Sequence, residues 1–233
     1  MSSDVLVEQG TVNISEIFYS IQGEGIYTGE PTVFIRFQGC TLGCVWCDTK
    51  YTWKHGEEKG ISYMEVLNKV WELHKKSAKK PMVCITGGEP LEQPEQFSHL
   101  VKKLHALDYS IEVETSGLVP VPFEHDQYVD SWVVDLKLPS SKSNKTPVFE
   151  DLNKFRHQDQ LKCVVKNEKD FEALSLVLEE YYFRGTILIS PFNPIKGTSN
   201  QEWMERCAEY CKQHGFRLNL QTHKFIWGAK RGV

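Results

Sequence analysis

The sequence predicts an α/β fold, most simply a partial, open parallel β/α barrel of about six strand–helix units. Two observations support this fold class: short β-rich runs recur along the chain, and amphipathic stretches of helical period separate them. Alternation of this kind implies right-handed βαβ crossovers and a mainly parallel sheet. The units are too few for a complete eight-fold barrel, and a doubly wound sheet would also fit the pattern.

The predicted strands and helices alternate from the first third of the chain to its end. The strands are Thr32–Phe37, Met82–Thr86, Ser110–Glu114, Trp132–Leu136, Gln160–Val165, Thr186–Ser190 and Phe216–Leu220. The helices are Ser62–Lys76, Glu95–Leu107, Glu168–Tyr182 and Asn200–His214. Ser62 and Asn200 suit N-cap positions, and Gly215 suits a C-cap. In either architecture ligands bind where parallel strands end, so the motifs that follow these strands are expected to share one site.

Length and composition limit the classes of protein to consider. The chain has 233 residues, 40% of them apolar, and we expect residues 1–233 to form a single domain around one core. The formal charge of −4 gives no global reason to bind nucleic acid or an anionic membrane, and we expect neither partner. No apolar run approaches the roughly 20 residues that span a bilayer. The first residues do not resemble a signal peptide, so we expect a cytoplasmic protein.

Three of the seven cysteines form a C-x3-C-x2-C loop directly after the first predicted strand. Thiolates at Cys40, Cys44 and Cys47 suit an iron–sulfur cluster or zinc. A [4Fe–4S] cluster normally has four cysteine ligands, so three would leave one iron open to a chelating small molecule. The alternative is a structural zinc site with a fourth ligand such as His55 or Cys84, although zinc ribbons usually carry a second cysteine pair.

The remaining cysteines are scattered. Cys84 and Cys163 lie in apolar strand runs, where core packing is the simplest interpretation. Cys207 and Cys211 are four residues apart on a predicted helix, so they either share a buried face or chelate a metal.

The cysteine loop resembles that of the radical S-adenosylmethionine (SAM) superfamily, in which an aromatic residue precedes the last cysteine, as Trp46 does here. The segment Thr86-Gly-Gly-Glu-Pro90 follows the second predicted strand. It is similar to the superfamily's Gly-Gly-Glu loop, whose backbone receives the amino group of SAM. Two independent motifs in this order indicate an enzyme that uses a [4Fe–4S] cluster and SAM.

Longer matches resemble one family of that superfamily, the 7-carboxy-7-deazaguanine synthases of queuosine and deazapurine biosynthesis. The matching segments are Glu16–Gly25, Gly29, Phe34–Cys40, Cys47–Thr49, Gln221–Lys224 and Trp227–Val233. The resemblance implies a lyase that contracts the ring of 6-carboxy-5,6,7,8-tetrahydropterin to give 7-carboxy-7-deazaguanine and ammonia. It further implies that SAM is regenerated and that Mg²⁺ positions the substrate carboxylate.

The resemblance also assigns roles to individual residues. The substrate-binding residues are Ile21, Gln22, Gly23, Glu24, Arg36, Thr86 and Val233, the last through its own terminal carboxylate. The SAM-binding residues are Gly88, Glu114, Ser116, Asp135, Leu136, Lys137, Ser190, Pro191, Phe192 and Asn193. Thr49 would offer its hydroxyl to Mg²⁺, a hard cation that takes oxygen ligands. The tripeptide Asp135-Leu-Lys137 departs from the family's frequent Ser-Pro-Lys.

Three of these side chains have alternative interpretations. Arg36 is a charge inside an apolar strand, and a buried guanidinium needs an anion, which would be the substrate carboxylate or a structural salt bridge. Glu24 would accept from the amino and N–H groups of the ring, or it is an exposed loop acid. His223 resembles a catalytic base, but we expect a positioned structural or pocket histidine.

The main functional alternative is an activase that installs a glycyl radical on a partner protein, because such enzymes are similarly short and share the cysteine spacing. A third possibility is a non-catalytic iron–sulfur or zinc module, which would not cleave SAM. The family resemblance implies a flavodoxin or ferredoxin as the electron donor and a homodimer as the assembly.

Overall fold

The computed structural model describes residues 10–54, 60–143, 151–192 and 201–233. Its strands are β1 (Thr11–Val12), β2 (Ile14–Ile21), β3 (Pro31–Phe37), β4 (Ile61–Ser62), β5 (Met82–Gly87), β6 (Ile111–Thr115), β7 (Ser131–Leu136), β8 (Gln160–Val165), β9 (Thr186–Pro191) and β10 (Arg217–Leu218). Eight of these form one sheet in the order β10-β9-β8-β7-β6-β5-β3-β2, and β1 pairs with β4. Neighbouring strands in the large sheet are parallel except for β2, which is antiparallel to β3. The sheet stays open between its edge strands, which confirms the predicted α/β class with a partial parallel barrel.

Helices connect most of the parallel strands. They are α1 (Tyr63–His74), α2 (Pro94–Ala106), α3 (Glu168–Glu180), α4 (Gln201–His214) and α5 (Thr222–Trp227). The first four match the predicted helices, whereas α5 was not predicted. The predicted N-cap Asn200 lies outside the described residues, and Gly215 ends α4 with a φ of +70°. In the described part of the two connections between β6 and β8, only 3₁₀ turns occur.

Strand β2 has no counterpart among the predicted strands. Its sequence lacks the strict alternation of apolar and polar residues that indicates a half-buried strand, and most of its residues are only partly buried. It forms because its backbone pairs along β3 from Ile21↔Pro31 to Glu16↔Arg36. This pairing brings the Glu16–Gly25 motif next to the cysteine loop that follows β3.

The two faces of the sheet carry different residues because side chains alternate along a strand. One face supplies apolar side chains such as Ile35, Ile85 and Val113 to the main core, where they pack with residues of the helices. The opposite face carries polar and charged side chains, including Arg36 and Lys162. The fold therefore keeps one apolar core and leaves the other face of the sheet for a polar site.

No helix among the described residues is long and apolar enough to cross a membrane.

The N-terminus of α1 provides a test of local stability. The Ser62 hydroxyl accepts a hydrogen bond from the Glu65 backbone N–H at 3.2 Å, and the Glu65 carboxylate accepts from the Ser62 N–H at 2.8 Å. This capping box satisfies two helix-end donors. We expect Ser62→Ala to lower the free energy of unfolding by about 1 kcal/mol, measured by urea denaturation. Ser110→Ala is the control, since Ser110 is exposed and caps no helix; equal losses in the two variants would contradict this assignment.

Candidate active site

A cavity of about 540 Å³ lies at the carboxyl ends of the parallel strands. Most of the residues that the sequence analysis selected line this cavity. They are Ile21, Gln22, Gly23, Glu24, Arg36, Cys40, Cys44, Cys47, Thr49, Thr86, Gly88, Glu114, Ser116, Asp135, Lys137, Phe192 and Val233. The motifs that follow successive strands therefore meet in one place, as expected for a parallel sheet.

Three selected residues in the described part of the chain do not line it. Leu136 packs in the main core because it alternates with the cavity-facing Asp135. Ser190 is buried and its hydroxyl accepts a hydrogen bond from the Asn219 side chain at 2.8 Å. Pro191 is buried at the end of β9. The structure thus places these three side chains outside the cavity lining, and their assignment to SAM stays a prediction. Asn193 lies outside the described residues.

The cysteine loop is held by backbone bonds to its neighbours. Gly39 N–H donates to the Thr52 carbonyl at 2.6 Å, and Val45 N–H donates to the Ser141 carbonyl at 3.2 Å. Gly43 adopts a φ of +66°, which a glycine accommodates without steric cost. These contacts fix the path of the loop before any metal binds.

The donor set at the loop fits a [4Fe–4S] cluster with one open iron. Cys40, Cys44 and Cys47 pack in a small cluster with the apolar Leu42 and Leu118. Burial raises the pKa of the Cys40 thiol to about 12 and also raises that of Cys44, so binding of a positively charged metal centre must displace the protons.

No fourth cysteine joins these three in the part of the cavity that the structure describes. Cys84, Cys163, Cys207 and Cys211 are buried and do not line it. His55, the other candidate for a fourth zinc ligand, lies outside the described residues. This distribution supports the interpretation of three thiolates and one open position.

The Gly-Gly-Glu loop brings its backbone close to the cysteine loop. Gly88 N–H donates to the Phe37 carbonyl at 3.0 Å, and Glu89 N–H donates to the Gly39 carbonyl at 2.8 Å. The Glu89 carboxylate is buried and accepts from the Ser116 N–H at 2.8 Å and from the Ser116 hydroxyl. Burial raises the pKa of Glu89, although these hydrogen bonds oppose the rise. Glu89 therefore ties this loop to the end of β6, a structural role that the sequence analysis did not assign.

Replacing Gly88 with alanine should disable the site. The new Cβ would collide with the Gly39 carbonyl oxygen and lie 2.9 Å from the Cβ of Cys40. We expect SAM cleavage to fall by more than about 100-fold, since a small misplacement of reacting groups can cost that much. The measurement is 5′-deoxyadenosine formed per iron bound. Gly215→Ala is the control, because its φ of +70° imposes backbone strain with no atom within 4 Å of the new Cβ; normal cleavage by Gly88→Ala would contradict the crowding argument.

The cavity also offers a buried acceptor on the side assigned to SAM. Asp135 Oδ2 is 2.8 Å from Lys137 Nζ, whereas its buried Oδ1 has no hydrogen-bond partner among the described residues. A buried carboxylate oxygen without a donor is costly, so a ligand hydroxyl would satisfy it. The Trp46 and Phe192 rings, which also line the cavity, lie 5.3 Å apart. These features fit a nucleoside such as the adenosine of SAM.

The cavity also presents Gln22 and Glu24. Gln22 Nε2 donates to the Glu112 carboxylate and, at 3.3 Å, to Glu114 Oε1. Glu24 Oε2 lies 3.2 Å from Lys162 Nζ, and Glu24 Oε1 accepts from Gln221 Nε2 at 2.9 Å. Burial alone would raise the pKa of Glu24, but Lys162 and His223 lower it to about 2. Glu24 is therefore an ionised acceptor in the cavity and not an exposed loop acid.

Lys162 lies between two carboxylates of the cavity and was not among the residues predicted from the sequence. Its Nζ lies 3.2 Å from Glu24 Oε2 and 3.5 Å from Asp135 Oδ2. Burial opposes its charge, but these carboxylates raise the pKa of Lys162 well above its ordinary value. The signal that identified Arg36, a charge inside an apolar strand, is also present at Lys162 and would have found it.

Glu112 is a second residue that was missed. It is fully buried, and its Oε2 accepts from Gln160 Nε2 at 2.9 Å. Burial and the nearby Glu114 raise the pKa of Glu112 to about 8. One atom each of Cys84, Glu112 and Glu114 lie within 4.8 Å of one another. The Gln22 amide donates hydrogen bonds to the Glu112 and Glu114 carboxylates, so the main effect of these two acids is to fix the orientation of Gln22.

Arg36 combines a pinned side chain with free donors. Its Nε donates to Glu16 Oε1 at 2.8 Å, and its guanidinium lies 5.9 Å from the centroid of the Phe18 ring. Among the described residues, its Nη atoms form no hydrogen bond. The structural salt bridge that was one of the two predictions for Arg36 is therefore present. It uses only Nε, so the two Nη atoms remain available to bind a substrate carboxylate.

Thr49 is accessible from the cavity, but it is not part of a metal cage. Its Oγ1 lies 3.4 Å from Cys47 Sγ, and the preceding Asp48 pairs with Lys224 Nζ at 3.0 Å. Mg²⁺ keeps several waters and often takes only one or two protein ligands. One hydroxyl therefore fits Mg²⁺ only together with substrate and water oxygens.

Comparisons with known proteins agree with this geometry. Residues 34–133 match the model of the radical SAM superfamily. The chain is 35% identical to a 7-carboxy-7-deazaguanine synthase of Leptospira interrogans, over 95% of this chain and 98% of that protein. It is 32% identical to the protein of the same name from Escherichia coli, over 91% and 97% of the two chains.

A solved structure shows the same fold. The crystal structure of QueE from Escherichia coli superposes with a TM-score of 0.73 at 28% identity, covering 96% of this chain and all of that one. The alternative of a glycyl-radical activase is not favoured by the named relatives. The chain belongs to the 7-carboxy-7-deazaguanine synthase family of radical SAM enzymes.

Proposed function

We propose that the protein is a radical SAM lyase that converts 6-carboxy-5,6,7,8-tetrahydropterin to 7-carboxy-7-deazaguanine and ammonia. The observation that supports this most directly is the composition of one cavity, in which three cysteine thiols, the Gly88 backbone and the free nitrogens of Arg36 meet. The two products contain all atoms of the substrate, so the net reaction needs no external oxidant or reductant. This balance is consistent with SAM being regenerated.

The SAM half of the cavity is assigned by its donors and acceptors. Cys40, Cys44 and Cys47 would hold the cluster, which when bound would supply the electron for SAM cleavage and so the radical chemistry at C6 of the substrate. Gly88 allows the close approach of SAM to the backbone, and Asp135 Oδ1 accepts from a ribose hydroxyl.

The substrate half is assigned by charge and by hydrogen bonding. Arg36 donates to the substrate carboxylate through its Nη atoms, and Thr49 would offer its hydroxyl to Mg²⁺, which would supply positive charge for that carboxylate. Glu24, which is ionised, accepts from the amino and N–H groups of the pterin ring, while Gln22 can both donate and accept at the ring edge. Val233 contributes its terminal carboxylate from the C-terminal tail. Lys162 keeps Glu24 and Asp135 in place between the two halves.

Several broader expectations belong to the same proposal. Residues 1–233 form one domain, the protein works as a cytoplasmic homodimer, and a flavodoxin or ferredoxin reduces the cluster. Sedimentation of the purified protein tests the dimer, and reconstitution with each purified reductant tests the donor.

The function is tested by anaerobic turnover. The reconstituted protein is incubated with reductant, SAM and Mg²⁺, with and without 6-carboxytetrahydropterin, and the deazapurine and ammonia are quantified. We expect both to form in equal amounts only with the pterin present. SAM cleavage without a deazapurine product would overturn the substrate, and no SAM cleavage at all would overturn the enzyme class.

A further inference from the structure

The C-terminal tail contacts strand β2 at the rim of the cavity through Arg231, whose Nε binds the Glu16 carboxylate and whose Nη2 donates to the Ser15 hydroxyl at 3.4 Å. Glu16 on β2 accepts hydrogen bonds from Arg36 Nε at 2.8 Å, from the Tyr51 hydroxyl at 2.7 Å and from Arg231 Nε at 2.9 Å. The Arg231 guanidinium also stacks over the Tyr51 ring, 3.7 Å from its centroid. Residues 228–233 line the cavity next to this contact. Glu16 is therefore joined both to a cavity-facing arginine and to the tail.

The two bonds to arginine use different oxygens of the carboxylate. Arg36 and Tyr51 bind Oε1, and Arg231 binds Oε2. Only 15% of the Glu16 side chain and 16% of the Arg36 side chain are exposed, so their bond is shielded from water, whereas the Arg231 side chain is 52% exposed. The three charged groups carry a net charge of +1, which leaves the site attractive to an anion while Glu16 stays paired. Loss of the carboxylate would release Arg36 and the tail together.

We propose that Glu16 is a positioning residue, which sets Arg36 and the C-terminal tail at a fixed separation across the cavity and so selects a flat ligand of matching length with a carboxylate at one end. Arg231 is the residue through which Glu16 holds the tail, since it lies two residues before Val233. The proposal rests on the proposed function for the identity of the ligand. The contacts of Glu16 can be tested without catalysis, because they join only side chains of this protein.

The arrangement predicts different effects for loss of Arg231 and loss of the Glu16 charge. Removing Arg231 frees the tail but leaves the Glu16–Arg36 pair intact, so it should weaken ligand binding without affecting the cluster. Removing the charge of Glu16 weakens its bonds to both Arg36 and Arg231, so it should reduce ligand affinity more. Lysine at position 231 keeps the charge but loses the planar group that stacks on Tyr51, so it should restore binding only in part.

The test measures ligand affinity and tail mobility, neither of which requires catalysis. The probe is 6-carboxypterin, an oxidised and fluorescent analogue of the substrate, bound to the full-length protein. We expect Arg231→Ala to weaken binding about tenfold, as the loss of a charged hydrogen bond allows, and Glu16→Gln to weaken it further. Hydrogen exchange of residues 228–233, followed by mass spectrometry, should speed up in both variants and be slowed again by Arg231→Lys.

Arg206→Ala is the matched control. Arg206 forms an equally short pair with Glu168, at 2.8 Å, on the exposed surface between α3 and α4. It should change neither affinity nor tail exchange. In a second experiment the Val233 carboxylate is amidated by protein ligation. If Arg231 acts through the tail, Arg231→Ala should weaken ligand binding by little more than amidation alone does.

Unchanged affinity in Arg231→Ala, or full additivity with amidation, would overturn the proposal. So would unchanged tail exchange in Glu16→Gln. These outcomes are distinct from failure of the proposed function, which would appear as absence of the deazapurine product from the unmodified protein.

Discussion

Replacing Cys44 with alanine should abolish SAM cleavage, lowering it by more than about 1,000-fold, because the rate enhancement of the enzyme depends on an intact cluster. Cys44 is one of three thiols at the cavity, and its side chain is buried among apolar neighbours. The variant keeps only two thiolate ligands. Among the described residues, no other cysteine lines the cavity and could take the place of Cys44. The measurements are iron and sulfide content, the visible absorbance of the cluster, and 5′-deoxyadenosine formed under reducing conditions.

The control for this prediction is Cys211→Ala. Cys211 is also a buried cysteine, but it lies on α4 and does not line the cavity. It should retain normal iron content and SAM cleavage, at the cost of a small loss of stability. Cluster loss in Cys211→Ala, or full activity in Cys44→Ala, would show that the ligands have been assigned to the wrong cysteines.

Replacing Lys162 with methionine should both inactivate and destabilise the protein. Methionine keeps much of the side-chain volume, but it leaves the carboxylates of Glu24 and Asp135 without the ammonium group between them. Breaking a buried ion pair by removing one partner typically costs about 3–5 kcal/mol. We expect a loss near the lower end, about 3 kcal/mol, since Lys137 still pairs with Asp135 at 2.8 Å. Urea unfolding at neutral pH measures it, and product formation should fall with it.

The pH dependence gives this prediction a second measurement. The pKa of Glu24 is lowered from its ordinary value of 4.5 to about 2, so its ionised form stabilises the fold above pH 4.5 and this contribution is lost as the pH falls toward 2. Without Lys162 the pKa of Glu24 should rise, because its largest favourable interaction is gone. The variant should therefore show less of this acid-dependent loss than the unmodified protein.

An exposed ion pair provides the comparison. Lys212 lies 2.8 Å from Glu209 on the surface of α4, where both side chains are largely exposed. Lys212→Met should change the free energy of unfolding by less than about 1 kcal/mol. If the two lysine variants unfold alike, the ion pairs of Lys162 are not important for the cavity.

The sequence predicted most of the fold because most of its elements have a clear hydrophobic period. The first four helices are amphipathic, and six of the seven parallel strands are short apolar runs with definite ends, whereas β10 consists only of Arg217 and Leu218. Strand β2 and helix α5 could not be found in this way. Strand β2 depends on pairing with β3, and α5 buries no residue, so neither carries a strong pattern of its own.

The site was predictable where chemistry requires particular residues at a particular spacing. The three cysteines and the Gly-Gly-Glu loop are recognisable for that reason. Glu112 was missed because its importance follows from partners that are distant in sequence, such as Gln22, whereas Lys162 carries the same signal as Arg36, a charge inside an apolar strand. Leu136 was assigned to SAM as part of a tripeptide, whereas strand alternation turns its side chain into the core.

The central claim is that three thiolates leave one iron of the cluster open to SAM. Mössbauer spectroscopy of protein reconstituted with ⁵⁷Fe tests it directly, because the spectrum resolves an iron whose coordination changes. Addition of SAM should shift the signal of a single iron and leave the others unchanged. A spectrum that SAM does not alter, or a preparation that binds zinc in place of iron, would contradict the claim.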